Sequence, residues 1–305
     1  MSKSTFISAI ITILLVTILT NYFIYAEIIG PDFRSYTNAL SNGVNTFMLR
    51  ELVSWWLISN FTQSYAHLWI FVALLQTVLI LLITIFCIKN FAGNRKFDSK
   101  LFLIVSILLF VLLNPFTLLL TSSALRQGIG AVFFIGSLQF FNKKYWPIAS
   151  GFALFSIFSH NSYAIFYVML LVLSNFKFIN LELKLVTTTL VLIILSTFFI
   201  PKADLVSDSN LILYLISNIL ALVLASKNKN LQLKVLVYAL VGVPIGFIGD
   251  YSYFDRFSLL TSAIVWPILV AAYYGPMKQK IFFIVLFFLP SAVFLRTVSR
   301  FEVGW

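Results

Sequence analysis

Four stretches of the chain, residues 4–26, 101–125, 145–176 and 257–277, contain no lysine, arginine, aspartate or glutamate. A helix that crosses the ~30 Å hydrocarbon core of a bilayer needs about 20 consecutive apolar residues. Each stretch meets or exceeds that length. Across all 305 residues, 61% are hydrophobic and only 10% are charged, far from the composition of soluble domains. The expected fold is therefore all-α: a polytopic integral membrane protein with a single transmembrane domain over residues 1–305 and no separate soluble domain. The run at 4–26 follows Lys3 and lacks a small-x-small cleavage signal, so it is read as an uncleaved first helix. One cysteine, Cys87, cannot form an internal disulfide, and it leaves no Cys/His metal cluster.

Lysines orient the helices. Lys100 and Lys143 are 43 positions apart, Lys184 and Lys227 are 43 apart, and Lys234 and Lys278 are 44 apart. Each interval fits two membrane passes and a short turn. Short loops rich in positive charge stay in the cytoplasm. With Lys3 inside, parity gives about eleven passes (ten to twelve), an internal N-terminus and an external C-terminus. Fourteen of the 21 basic residues then lie inside, 13 of them lysine. Asp98 and Glu182 are the only acidic residues on that side, so it carries +12 and the outside −1. The basic surplus is thus a topology signal and gives no reason to invoke nucleic acid.

The sorting also separates residue types. Six of the seven external cations are arginine: Arg34, Arg50, Arg126, Arg256, Arg296 and Arg300. Both histidines, His67 and His160, and eight of the ten carboxylates fall outside as well. Orientation needs positive charge inside and does not need arginine outside. The guanidinium fork suits bidentate contacts with phosphate and carboxylate, so the chemistry is expected to face outward.

One lysine interval is short. Lys144 and Lys177 are 33 positions apart, leaving two passes of about 14–15 residues, or ~21–22 Å each. A single long helix would flip every later loop. The spacing predicts a short hairpin whose tip, in "SIFSHNSYAIFY", sits below the outer surface. Ser156 and His160 are four apart and share a helix face, while Asn161 and Ser162 suit the N-terminus of a returning helix. An ionisable residue at such depth is a functional candidate, because irregular backbone there is tolerated where it lines a wet cavity. The alternative is a structural histidine that caps a helix.

The external segment 27–66 contains "GPDFRSY", with Asp32, Arg34 and Tyr36, then "NTFMLRELVSWWLISNF". The second stretch reads as an interfacial amphipathic helix carrying Arg50 and Glu51, with Trp55 and Trp56 suited to the membrane boundary. Near the C-terminal end, "GDYSYFDRFS" reads as an external loop that places Asp255 and Arg256 among aromatics.

The stretches "GPDFRSY", "LREL", "ALRQGIGAVFF", "FSHNSYAI" and "FDRF" stand in an order and spacing that resemble the EpsG-like, or Wzy-like, polysaccharide polymerases of bacterial inner membranes. The positions that carry the resemblance are Asp32, Tyr36, Glu51, Arg126, Gln127, His160, Ser162 and Arg256. The resemblance implies a glycosyltransferase that polymerises oligosaccharide repeat units on the outer face of the cytoplasmic membrane. Donor and acceptor would be glycans on undecaprenyl pyrophosphate, and a chain-length regulator is an implied partner. Arg126, helped by Arg256, would stabilise the pyrophosphate. His160 would be the general base, with Asp32 and Glu51 as alternatives for that role or for sugar binding. Arg34, Tyr36, Gln127, Ser162 and Asp255 complete the expected substrate-binding set. No metal or cofactor is implied, since fixed cations can stabilise a departing charge. A lipid-linked glycan flippase and a glycan ligase with the same donor are the rival readings. A transporter is expected to place charge through the midplane, whereas here the candidate charges gather outside.

Overall fold

A computed structural model describes residues 52–61, 65–91, 125–175, 179–199 and 210–273. Asp32, Arg34, Tyr36 and Glu51 lie outside the described residues, as do the first helix, the run at 101–124 and everything after Tyr273. Within the described residues there are nine helices and no strand. They are α1 (Leu52–Phe61), α2 (Tyr65–Phe91), α3 (Leu125–Asn142), α4 (Trp146–Ser159), α5 (Ser162–Asn175), α6 (Leu181–Phe199), α7 (Asn210–Lys227), α8 (Leu231–Gly246) and α9 (Tyr251–Tyr273). Two segments, Ile70–Phe91 and Tyr253–Tyr273, are long and apolar enough to cross a membrane.

Helix α8 is the hub, in contact with α5, α6, α7 and α9. Every residue from Leu236 to Pro244 is buried. Pro244 has no N–H to offer the Leu240 carbonyl, and Thr261 Oγ1 of α9 donates to that carbonyl instead (2.7 Å). At the other end, the Asn230 side chain accepts from the Leu233 N–H, a favoured N-terminal cap. Helix α9 packs on α2, α7 and α8, and α3 packs on α1, α2 and α4. Lys143 and Lys144 turn the chain tightly from α3 into α4. Lys144 adopts the left-handed conformation (φ 62°) that commonly ends a helix, and Pro147 opens the next helix where its missing N–H costs nothing.

The outer surface of these helices is apolar. Helix α6 buries Lys184, Thr189 and Ser196, yet exposes Leu183, Val186, Leu190, Val191, Ile194 and Leu195. Helix α7 buries Ser217 and Asn218 and exposes Ile212, Ile216, Ile219 and Val223. The buried polar groups meet each other: Trp266 Nε1 donates to Ser217 Oγ (2.9 Å), and Thr261 Oγ1 donates to the Leu240 carbonyl (2.7 Å).

Two sequence expectations meet their outcome here. The segment between Lys144 and Lys177 breaks at His160 and Asn161 into two helices of 14 residues each. The expected loop "GDYSYFDRFS", by contrast, is mostly helix. Asp250 caps α9, accepting from the Tyr253 N–H (3.2 Å), and the helix then runs from Tyr251. Asp255 and Arg256 therefore sit in its opening turns. A capping aspartate followed by a stretch free of glycine and proline until Pro267 starts the helix earlier than the charge pattern suggested.

Candidate functional site

The "RQGIG" stretch opens α3 and brings three helices together. Gly130 has no side chain, so the Tyr163 ring of α5 packs directly on its backbone. The Tyr163 hydroxyl donates to the Gln127 carbonyl (2.6 Å), one of the carbonyls of the first turn. From α4, Ser156 Oγ donates to the Gly130 carbonyl (2.9 Å). Helix α1 closes the same end: Ser54 Oγ donates to the Ser159 carbonyl (2.8 Å), and Arg126 places its guanidinium 5.6 Å from the Trp55 ring centroid, a cation–π contact.

These ties set His160 between Ser159, the last residue of α4, and the start of α5. Its backbone is extended, and its N–H still bonds to the Ser156 carbonyl (3.1 Å). Its Nδ1 accepts the backbone N–H of Ser162 (3.3 Å) and lies 2.6 Å from Ser162 Oγ. The imidazole thus does what an aspartate or asparagine does at a turn, accepting the N–H two residues on. A backbone N–H can only donate, so Nδ1 holds no proton. In the neutral ring the proton is on Nε2.

Arg256, an exposed residue of α9, acts electrostatically on the same ring. Burial lowers the His160 pKa from 6.5 to about 4, and the charges of Arg126 and Arg256 push it the same way. Two of the arginines singled out in the sequence, from the starts of α3 and α9, thus act electrostatically on the histidine of the turn before α5. An aromatic floor joins α5 to α9 below them, with Phe166 against Phe257 (5.6 Å between ring centroids) and Phe257 against Phe247 (4.8 Å). Asp255, beside Arg256, takes a hydrogen bond from the Tyr214 hydroxyl.

Gln127 follows Arg126 and is buried, and neither its Oε1 nor its Nε2 has a hydrogen-bond partner. An unsatisfied buried polar group costs about 1–3 kcal/mol. A polar ligand at this end of α3 would remove that cost. Ser162 is also buried and is engaged with His160. Among the described residues, no three His, Cys, Asp or Glu side chains gather at metal-binding spacing. The sequence pattern did not disclose the ties through Ser54, Trp55 and Tyr163. Its one hint was the paired glycines, Gly128 and Gly130, which mark a close backbone approach. Compared with known protein families, with curated proteins and with solved structures, the chain matches none.

Proposed function

We propose that the chain is a multi-pass membrane glycosyltransferase that joins oligosaccharide units carried on a lipid pyrophosphate. The observation that carries this reading is the convergence of Arg126, Arg256 and His160 at one end of the bundle, beside the unsatisfied amide of Gln127. Both guanidinium groups act electrostatically on His160, and the planar guanidinium fork suits phosphate. The apolar exterior of α6 and α7, whose polar residues Thr189, Ser196, Ser217 and Asn218 turn inward, supports a lipid environment, because such surface is unfavourable in water.

In the reaction the acceptor sugar's hydroxyl oxygen bonds to the donor's anomeric carbon. The bond from that carbon to the pyrophosphate oxygen breaks, and lipid pyrophosphate leaves with the electron pair. The hydroxyl proton passes to a general base, for which the sequence offers His160, Asp32 and Glu51. Arg126 and Arg256 stabilise the charge that grows on the leaving group. By this reading the site faces outward, across a bacterial cytoplasmic membrane from the lysine-rich face, and about eleven helices span the bilayer.

Purified protein given lipid-pyrophosphate-linked repeat units, without nucleotide sugar, should produce a ladder of longer glycans and release lipid pyrophosphate. A ligase would transfer one glycan to a different acceptor and give no ladder. A flippase would move the lipid between leaflets and form no bond. Absence of any glycosidic product with both donor and acceptor present contradicts the proposal.

A further inference from the structure

We infer that His160 serves the ligand as a neutral hydrogen-bond donor, presenting Nε2–H to a phosphate oxygen, and is not the base that removes the acceptor's proton. The inference rests on the pyrophosphate reading above and reverses the role the sequence suggested for this residue.

The geometry decides the direction of the proton. A histidine general base needs an unprotonated nitrogen facing the acceptor hydroxyl. Here Nδ1 is the unprotonated atom, and it is committed to the N–H and hydroxyl of Ser162, inside its own turn. The nitrogen at the far side of the ring, Nε2, therefore carries hydrogen and can only donate while the ring is neutral. Two positive neighbours, Arg126 and Arg256, oppose a second proton on the ring, and burial opposes it further. An imidazole kept neutral among cations is a weak base, yet it is a good donor to an oxygen that gains negative charge. It adds a third donor to the two guanidinium groups without adding a third charge. The remaining duty, accepting the acceptor's proton, falls to a base other than His160.

Two substitutions divide the ring's functions. Asparagine reproduces the acceptor that holds the Ser162 N–H and lacks a donor at the Nε2 position. Glutamine reaches the Nε2 position with an N–H and gives up the local turn. His160→Gln should keep polymer formation within about tenfold of the parent, and His160→Asn should lose ~10²–10³-fold, the usual cost of one missing donor to a developing anion. A Gln variant as poor as the Asn variant, at equal amounts of folded protein, overturns the inference, and so does a fully active Asn variant. Activity of the parent should also show no histidine inflection between about pH 5.5 and 8. A base titrating near the reference value of ~6.5 would lose activity as pH falls through that value, and such a loss, removed in the Gln variant, counts against the donor role.

A second measurement needs no turnover and keeps His160 intact. The chain has two histidines, so ¹⁵N-histidine labelling of a His67→Gln protein reports one ring. At neutral pH the bonded proton should be found on Nε2 alone, and undecaprenyl pyrophosphate should shift that resonance. A proton on Nδ1, a charged ring, or an Nε2 signal indifferent to the lipid overturns the inference. If polymer forms and the ring is protonated at Nδ1, the inference fails and the enzyme reading stands. If the Nε2 signal responds to the lipid and no glycan product ever forms, the enzyme reading fails and the donor role remains.

Discussion

Arg126 stands in the second position of α3 with its guanidinium over Trp55, half-buried and within electrostatic reach of His160. A snorkelling arginine at a helix end would need only a flexible stem and water. The stacked position and the neighbouring cation fit a gripping role better. Arg126→Lys keeps the charge and loses the planar fork. Polymer yield at equal expression should fall at least about tenfold, given that a bidentate contact is being replaced by a point charge. Near-parental yield from the lysine variant would mean that the arginine is a membrane anchor. At this scale much was legible. The arginine stood out because it opened an oily run, and His160 because it interrupted one. The role of each nitrogen of His160 was not legible, because it depends on the extended backbone that brings Nδ1 onto the Ser162 N–H. Periodicity carries no information about that.

Helices α3, α4 and α5 hold the site through contacts that tolerate little change. A methyl at Gly130 would collide with the Tyr163 ring, which is fully buried and hydrogen-bonded to the Gln127 carbonyl. Gly130→Ala should therefore lower thermal stability, by about 1–3 kcal/mol as for other overpacked sites, and reduce activity by displacing the start of α5 and with it His160. Gly151 in α4 has open space where a side chain would go. Gly151→Ala should be neutral or slightly stabilising, since alanine is the better helix former. A comparison of melting temperatures for the two variants checks this, and equal behaviour would mean that the Tyr163 contact is not a constraint. The break of residues 145–176 into two short helices could be read from a lysine interval too short for two full passes. The start of α9 could not. Three charged residues and three aromatics within ten positions look like a loop, and only the Asp250 cap reveals the helix that carries Arg256 toward His160.

For the whole molecule, composition and lysine spacing pointed to helices in a bilayer, and α6 and α7 turn apolar residues outward and their few polar ones inward. The same arithmetic separated an arginine-bearing face from a lysine-bearing one, and the proposed site lies on the former. The direct measurement is polymerisation in proteoliposomes of known orientation. Lipid-linked repeat units are added to the outer leaflet, without nucleotide sugar and with EDTA present. Vesicles with the lysine-rich face toward the lumen should build a glycan ladder at once. Vesicles of the opposite orientation should do so only after the membrane is permeabilised. A ladder that forms only from the lysine-rich face, or only when a divalent ion is restored, would contradict the account.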